Sequence, residues 1–384
     1  MGGCTLKLEF ESLRRWPDVE AENLQAFDAA DRLLLDLAAE AGWPAEPGRV
    51  AILNDHYGAL TLGALTAGVR SVRVHQDALS GARAIEANAQ RLLPELAGEY
   101  RHLPPGAGLL ENASLVLMQL PRSLDALEEM LAFVAEHASA DVTVMATGRI
   151  KHMGLGMNEV MGRYFETVTA SLARQKSRVL TAAGGRPAGQ RPAPRFPLHG
   201  SFPVGLEKPL ELRAYAETFG GAKLDPGTRF LLEHLDLPDT AGRAVDLGCG
   251  NGTIAGFIAL KYPLLTVYAS DQSASAVAST AATAAANGVA DRVAPVQDDA
   301  LASLPDASEE LVVLNPPFHM GNTVHAGIAL KLIADAGRVL APGGELWCVW
   351  NSHLGYRSQL EKLVGPTRQV ARNPKFTITV STRA

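Results

Sequence analysis

Residues 312–322 read VVLNPPFHMGN: three apolar residues suited to a buried strand run straight into Asn315, two prolines, an aromatic and a histidine. Proline has no backbone N–H and biases the residue before it toward extended conformations, so Pro316 and Pro317 end a strand and turn the chain. That explains the stop, but not the polar amide before the pair or the planar Phe318 after it. A second cluster, DLGCGNG at 246–252, has glycines that let the backbone turn sharply beside a ligand, at a helix start whose free N–H groups favour an anionic group. Asp246 precedes the first glycine, and the spacing is G-x-G-x-G, not the dinucleotide G-x-G-x-x-G. Asp271, 21 residues after Gly250, ends the next strand, where a carboxylate can accept both hydroxyls of a ribose. Asp298 and Asp299 end the strand after that, where the exocyclic amine of an adenine can be read. Each acid alone would serve equally as a helix N-cap; as an ordered set they describe an adenosine site.

The elements that position these residues alternate. RAVDLG (243–248) is a short apolar strand, TIAGFIALKY a helix, LTVYASD (265–271) a strand, and SAVASTAATAAANG (275–288) an Ala-rich helix closed by glycine. Then come RVAPVQDD (292–299), ELVVLN (310–315), a helix over 325–340 and the strand GELWCVWN (344–351). Strands separated by helices of this length predict a parallel α/β sheet covered on both faces, with ligands beyond the carboxyl ends of the strands. Trp347, Trp350 and His353 fall on or just after the last strand and read as core and rim.

The first half repeats the plan weakly. RVAILNDHYGALT (49–61) parallels RAVDLGCGNGTI, with Gly58 in the place of Gly252, and LVLMQLPRS (115–123) parallels LVVLNPPFH, with Gln119 for Asn315 and a single Pro121. The two pairs lie 194 and 196 residues apart, which suggests an internal duplication. Between the halves, TAAGGRPAGQRPAPRFPLHGSF (181–202), rich in Gly, Pro and Arg, reads as linker. The expected organisation is therefore a first domain over 1–180, a linker over 181–202 and a second domain over 203–384.

At 384 residues, 47% hydrophobic and 20% charged, the chain is too long for one core and has the composition of a soluble globular protein. It contains no apolar run of the ~20 residues needed to cross a bilayer. Its first residues lack the apolar core of a secretion signal, so a cytoplasmic location is expected. Cys4, Cys249 and Cys348 are too scattered for a disulfide framework or zinc cluster, and no metal is expected. Net charge is −6, yet residues 149–195 hold nine Lys or Arg against Glu159 and Glu166, a local +7 that leaves −13 for the remainder. Such a strip suits a phosphate backbone and equally a solvated basic linker.

DLGCGNG, the strand-terminal Asp271, the acidic pair and NPPF, in this order, resemble class I S-adenosylmethionine-dependent methyltransferases acting on exocyclic amines. The NPPFH form with a degenerate N-terminal copy is similar to the bacterial ribosomal RNA guanine-N2 methyltransferases. LQAFDAADRLLLD and ILNDHYGAL look more like the large-subunit (23S) enzyme than its small-subunit (16S) relative. The resemblance covers essentially the whole chain and is most specific over 210–350. It implies two tandem Rossmann-like α/β domains, the first having lost cofactor binding and serving to position RNA. It further implies that Asp246, Gly248, Gly250 and Asn251 hold the cofactor's amino-acid part, Asp271 with Gln272 the ribose, and Asp299 with Ala300 the adenine. Asn315 would also lie against the cofactor. The segment 216–235 resembles one that lies over the cofactor, with Phe219, Lys223 and Asp225 a looser match.

On that footing NPPF acquires a role. Guanine N2 is a poor nucleophile because its lone pair is delocalised into the ring. If the Asn315 side-chain oxygen and the Pro316 carbonyl accept its two N–H groups, the lone pair turns out of the ring plane; Pro317 makes the corner rigid, and Phe318 gives a flipped base a face to stack on. His319 either contacts the guanine, helps carry away the proton, or is structural. Other acceptors remain open: an adenine N6, a protein glutamine amide, or a guanine of 16S RNA. A non-enzymatic RNA-binding factor and a nicotinamide oxidoreductase fit less well, the first because both motifs are intact and the second because of the glycine spacing. A chain with two fused domains has no evident need to dimerise, so a monomer is expected.

Overall fold

The computed structural model describes residues 8–237, 242–317 and 323–384. The chain divides between Arg195 and Phe196 into two units, each built on a seven-stranded mixed sheet. In the first unit, β1 (Val50–Leu53), β2 (Val72–His75), β3 (Tyr100–His102), β4 (Leu115–Gln119), β5 (Thr143–Arg149), β6 (Phe165–Ala170) and β7 (Ser177–Gly185) lie in the order 3-2-1-4-5-7-6. The second unit opens with a hairpin of β8 (Leu198–Phe202) and β9 (Leu210–Ala214). Its main sheet comprises β10 (Gly242–Leu247), β11 (Leu265–Asp271), β12 (Val293–Gln297), β13 (Glu309–Leu314), β14 (Leu340–Asn351), β15 (Thr367–Arg372) and β16 (Phe376–Thr382). These lie in the order 12-11-10-13-14-16-15, the same path renumbered. In both sheets the first five strands in space run parallel and the last two pairings are antiparallel. The duplication suggested by two spacings is thus a duplication of whole sheets.

Period-two alternation in the second unit sends residues to opposite faces. Ala244, Val267, Ala269, Val313, Trp347 and Val349 join one core cluster with Ile254, Phe257 and Ile258. Val245, Leu247, Val312, Leu314, Cys348 and Trp350 join the other. Both tryptophans are core, as their position in the strand predicts, and His353 is exposed. Register then sets the site: Leu247 of β10 lies beside Ser270 of β11 on one side and Leu314 of β13 on the other. The next residues along these strands are Gly248, Asp271 and Asn315, which therefore stand in one row at the carboxyl edge. The chain leaves β10 toward β11 on one side and β13 on the other, which makes this edge the switch point where such sheets open a crevice.

The linker expected over 181–202 is shorter than its composition suggests. Residues up to Gly185 belong to β7, which pairs with both β5 and β6, and β8 begins at Leu198. Strand pairing supplied by residues far away in sequence overrides the coil preference of a Gly-rich run. The first unit accordingly runs past residue 180 to Arg195.

Candidate active site

Three glycines shape the floor of the site. Gly248, Gly250 and Gly252 have φ of 76°, 54° and 75°, the left-handed region that costs L residues with a side chain most. A Cβ on Gly252 would stand 2.8 Å from the Thr280 Cα, whereas one on Gly248 or Gly250 would meet nothing within 4 Å. The last glycine is needed for packing against the helix Ala274–Ala286; the first two keep open the space above the loop. That helix holds the loop from below. Thr280 Oγ1 donates to the Gly250 carbonyl at 3.1 Å and Thr283 Oγ1 to the Asn251 carbonyl at 2.8 Å. Sequence reading passed over these hydroxyls as part of an Ala-rich helix; their signal is the Ser279, Thr280, Thr283 spacing, which places three polar groups on one buried helix face.

Asp246 is fully buried at the penultimate position of β10, beside Val245 and Leu247. Its Oδ2 accepts the Ala255 N–H of the helix Thr253–Lys261 at 2.9 Å. Its Oδ1 is buried and has no hydrogen-bond partner among the described residues, a costly arrangement unless something else satisfies it. Burial, aided by the charge of Asp271, pushes this carboxyl up to about 7, and the Ala255 N–H only partly offsets the rise.

Asp271 is half-buried at the end of β11. Its Oδ2 accepts the Gly250 N–H at 3.0 Å and its Oδ1 the Ser273 N–H at 3.0 Å. One carboxylate therefore braces the glycine loop and starts the next helix. Gln272 beside it is exposed, and its carbonyl accepts Gln297 Nε2 at 3.0 Å. The acidic pair divides its labour. Asp298 is buried and accepts the Asp299 N–H at 2.8 Å, the Ser303 N–H at 2.8 Å and the Ser303 hydroxyl at 2.7 Å, so it shapes the turn. Asp299 is half-buried and ion-paired with Lys331, and Ala300 follows with φ of 58°.

The Asn251 side chain is engaged within the protein. Its Nδ2 donates to the carbonyls of Gly221 at 2.9 Å and Lys223 at 3.0 Å, while its Oδ1 accepts from Thr253. With both ends of the amide spent, the side chain fastens the segment carrying Phe219, Lys223 and Asp225 to the glycine loop. Phe219 is 67% exposed in that segment.

At the other end of the row, Asn315 is half-buried, Pro316 buried and Pro317 exposed. Asn315 Nδ2 donates to Asp225 Oδ2 at 3.1 Å and Thr228 Oγ1 at 2.8 Å. Phe318 and His319 lie outside the described residues. Of the residues expected to form the site, Asp246, Gly248, Gly250, Asp271 and Asn315 are brought to one edge by adjacent strands, with Asp299 one strand further out, after β12.

Two family models match this chain, the Methyltransferase small domain over residues 209–380 and the RLMG N-terminal domain over residues 3–185. A protein of Pseudomonas paraeruginosa named Ribosomal RNA large subunit methyltransferase G is 37% identical over 367 residues, covering 95% of this chain and 96% of its own. One of the same name from Streptomyces coelicolor is 36% identical over 368 residues, with coverage of 95% and 96%. This chain belongs to the ribosomal RNA large subunit methyltransferase G family. Its fold is shared with a solved T. thermophilus 16S rRNA N2 G1207 methyltransferase in complex with AdoMet and guanosine, at a TM-score of 0.70 and 21% identity, covering 93% of this chain and 92% of that one.

The two-domain plan of the family explains the first unit. Aligning the sheets by register places Ile52 where Asp246 stands, His56 where Gly250 stands and Gln76 where Asp271 stands. Gln76 keeps the structural half of the acid's work, its Oε1 accepting the Ala78 N–H at 3.1 Å. Its amide nitrogen lies 3.3 Å from His56 Nδ1, so side chains fill what glycine leaves open. Over this loop, Tyr57 donates its hydroxyl to Asp18 at 2.6 Å, Arg15 lies 4.5 Å from the Tyr57 ring centre, and Asn88 bonds both Arg14 and Tyr57. The copy lacks acids at the positions of Asp246 and Asp271, and the buried Asp55 accepts the Gly58 N–H at 3.1 Å and the Thr61 N–H at 2.7 Å instead.

The basic window also divides. Arg163 and Arg195 pair with the buried Glu128, Arg195 also reaches Asp125, and Arg186 donates to the Gly162 carbonyl at 2.9 Å. These cations are structural. Gln175 and Lys176, with φ of 49° and 60°, form the tight turn between β6 and β7, and the Lys176 carbonyl accepts the Ile150 N–H at 2.9 Å. That bond gathers Arg149, Lys151, Arg174 and Lys176 at the carboxyl end of β5. Lys151, Arg174 and Lys176 are exposed; the Arg174 pairing with Asp36 at 2.7 Å is also on the surface and worth little.

Proposed function

We propose that this chain is an S-adenosylmethionine-dependent enzyme that methylates N2 of one guanine in large-subunit (23S) ribosomal RNA. The carrying observation is the row of Gly248, Asp271 and Asn315 at the switch point, with an open glycine loop and an orphaned buried carboxylate beneath it. The names of its relatives select the RNA, and the amine follows from the chemistry of the Asn315 turn.

The residues fit the cofactor. Gly248 and Gly250 leave room above the loop, Asp246 offers an unsatisfied negative site for an ammonium group, Asp271 would carry the ribose, and Asp299 with Ala300 the adenine. S-adenosylmethionine bound there supplies an electrophilic methyl on a sulfonium. The chain's part is to hold the acceptor. Asn315 Oδ1 and the Pro316 carbonyl take the two N2 hydrogens, which turns the lone pair out of conjugation and toward the methyl. With the amine held this way, its surplus proton would leave to water once the methyl has been accepted, and Asn315 and Pro316 need not take it up. Rate comes from positioning and preorganised acceptors, with no covalent enzyme intermediate.

The target base leaves its helix to reach this corner, and Phe318 is its stacking face. The first unit positions the RNA through the exposed cations at the end of β5, contacts that orient without specifying sequence. A monomer in the cytoplasm completes the reading. Among the described residues no helix is long and apolar enough to cross a membrane, and no His, Cys, Asp and Glu cluster suited to a metal is present.

Three measurements test this. Labelled methyl donor is incubated separately with 23S and 16S RNA from cells lacking the gene, and the modified base is located after digestion; label on an adenine, or only in 16S RNA, would sink the assignment. Neutralising Lys151, Arg174 and Lys176 together should reduce the slope of log K against log salt by about 2 to 3 and weaken RNA binding roughly uniformly across sequences. An unchanged slope returns these residues to an ordinary solvated surface. Finally, an ammonium beside Asp246 favours its ionised form, so the binding of S-adenosylhomocysteine should release protons and tighten as pH rises toward 7, weakening by up to about tenfold per unit below that. Calorimetry in buffers of different ionisation heat reads both effects; affinity independent of pH across this range removes Asp246 from the ligand's charged end.

A further inference from the structure

We infer that Asp225 and Thr228 are positioning residues that set which end of the Asn315 amide faces the substrate. The inference rests on the amine-clamp reading above and deepens it. An amide has two ends of nearly equal shape and opposite hydrogen-bonding sense, and a rotation about its last bond exchanges them. If nitrogen faced the acceptor base, two donors would oppose each other and the clamp would repel the group it must hold. Something has to choose the end.

The choice is made by the start of the helix Pro226–His234. Asp225 is its N-cap, with Oδ2 accepting the Thr228 N–H at 2.8 Å. The same oxygen accepts one Asn315 Nδ2 hydrogen at 3.1 Å, and Thr228 Oγ1, nearly buried, accepts the other at 2.8 Å. A hydroxyl can face either end of an amide, but an ionised carboxylate only accepts, so Asp225 selects nitrogen. Both Nδ2 hydrogens are then spent. Among the described residues no donor engages Oδ1, which is left as the amide's free acceptor. Gly227 belongs to the device: a Cβ there would lie 3.0 Å from Asp225 Oδ2 and 3.2 Å from the Phe376 ring, crowding the carboxylate in its cap. The D-P-G-T run of 225–228 is thus a cap, a proline at the first helical position, a clearance and a second acceptor.

The first unit carries part of the same arrangement. There Asp28 caps the helix Ala29–Ala41, Asp31 holds the third helical position as Thr228 does, and Gln119, which stands where Asn315 stands, donates its Nε2 hydrogen to Asp31. An amide at the end of the fourth strand, held by the first turn of the helix that precedes the first strand of the sheet, recurs in a copy whose loop carries His56 in place of Gly250. The anchor is therefore part of the duplicated framework.

The test uses the full-length protein with 23S RNA from cells lacking the gene. Thr228→Val keeps shape and removes one acceptor; Asp225→Ser keeps a capping oxygen and removes the carboxylate; Thr228→Ser restores the hydroxyl. Each single loss should lower kcat by about tenfold and the pair by about a hundredfold, the scale of a misplaced reacting group. S-adenosylhomocysteine affinity, by calorimetry, and the melting temperature should hardly move, and Thr228→Ser should recover kcat to within about twofold. Full turnover in Thr228→Val, a fall in kcat matched by an equal loss of cofactor affinity, or failure of Thr228→Ser to restore rate each overturns the positioning role. Absence of guanine methylation by the unaltered protein instead overturns the underlying clamp.

Discussion

Asn315→Ala should lower kcat by about a thousandfold, or ~4 kcal/mol of transition-state stabilisation, the upper end of what one preorganised polar group supplies. The amide sits on the carboxyl edge and, among the described residues, bonds through nitrogen alone, to Asp225 and Thr228. Removing it takes away the oxygen that accepts from the amine and leaves the glycine loop, Asp246 and Asp271 in place. S-adenosylhomocysteine affinity should therefore change by no more than a fewfold. Single-turnover transfer to RNA and calorimetry separate the two effects, and retained turnover refutes the clamp.

Asp271→Ala should weaken cofactor binding by about a hundredfold, ~2.7 kcal/mol, because two charge-assisted bonds to the ribose are lost together. Part of the loss comes from the protein itself. Gly250 N–H and Ser273 N–H both rest on this carboxylate, so the loop loosens when it goes. Asp271→Asn distinguishes the parts: an amide oxygen can still accept from one backbone N–H, so the loop is partly held, but the pair of ribose contacts is not. A dissociation constant unchanged in Asp271→Ala removes the ribose assignment outright.

Much of the fold was legible because its signals are local. β11 spans Leu265–Asp271 as its apolar alternation and terminal acid predict, and the helices after β10 and β11 begin where glycine and serine caps would start them. The second task of Asn251 was not legible for a physical reason: within DLGCGNG every polar atom appears free, and only the folded segment at Gly221 and Lys223 reveals what its amide fastens. The stretch 181–185 was misjudged, since glycine-rich composition records the cost of ordering a chain and not the partners that offset it. Asp298 and Asp299 look equivalent as neighbours, yet one turns inward to Ser303 and the other outward to Lys331.

By itself the sequence determined the parallel α/β plan, the tandem repeat, the order of acids along the strands and the rigid corner at Asn315, because periodicity, glycine spacing and proline chemistry act within a few residues. Tertiary structure alone decided that Gly248, Asp271 and Asn315 stand in one row, that Thr280 and Thr283 carry the loop, and that a cap 90 residues upstream orients the amide. Those relations depend on strand register and on contacts between elements distant in the chain, where no local pattern can record which oxygen meets which hydrogen.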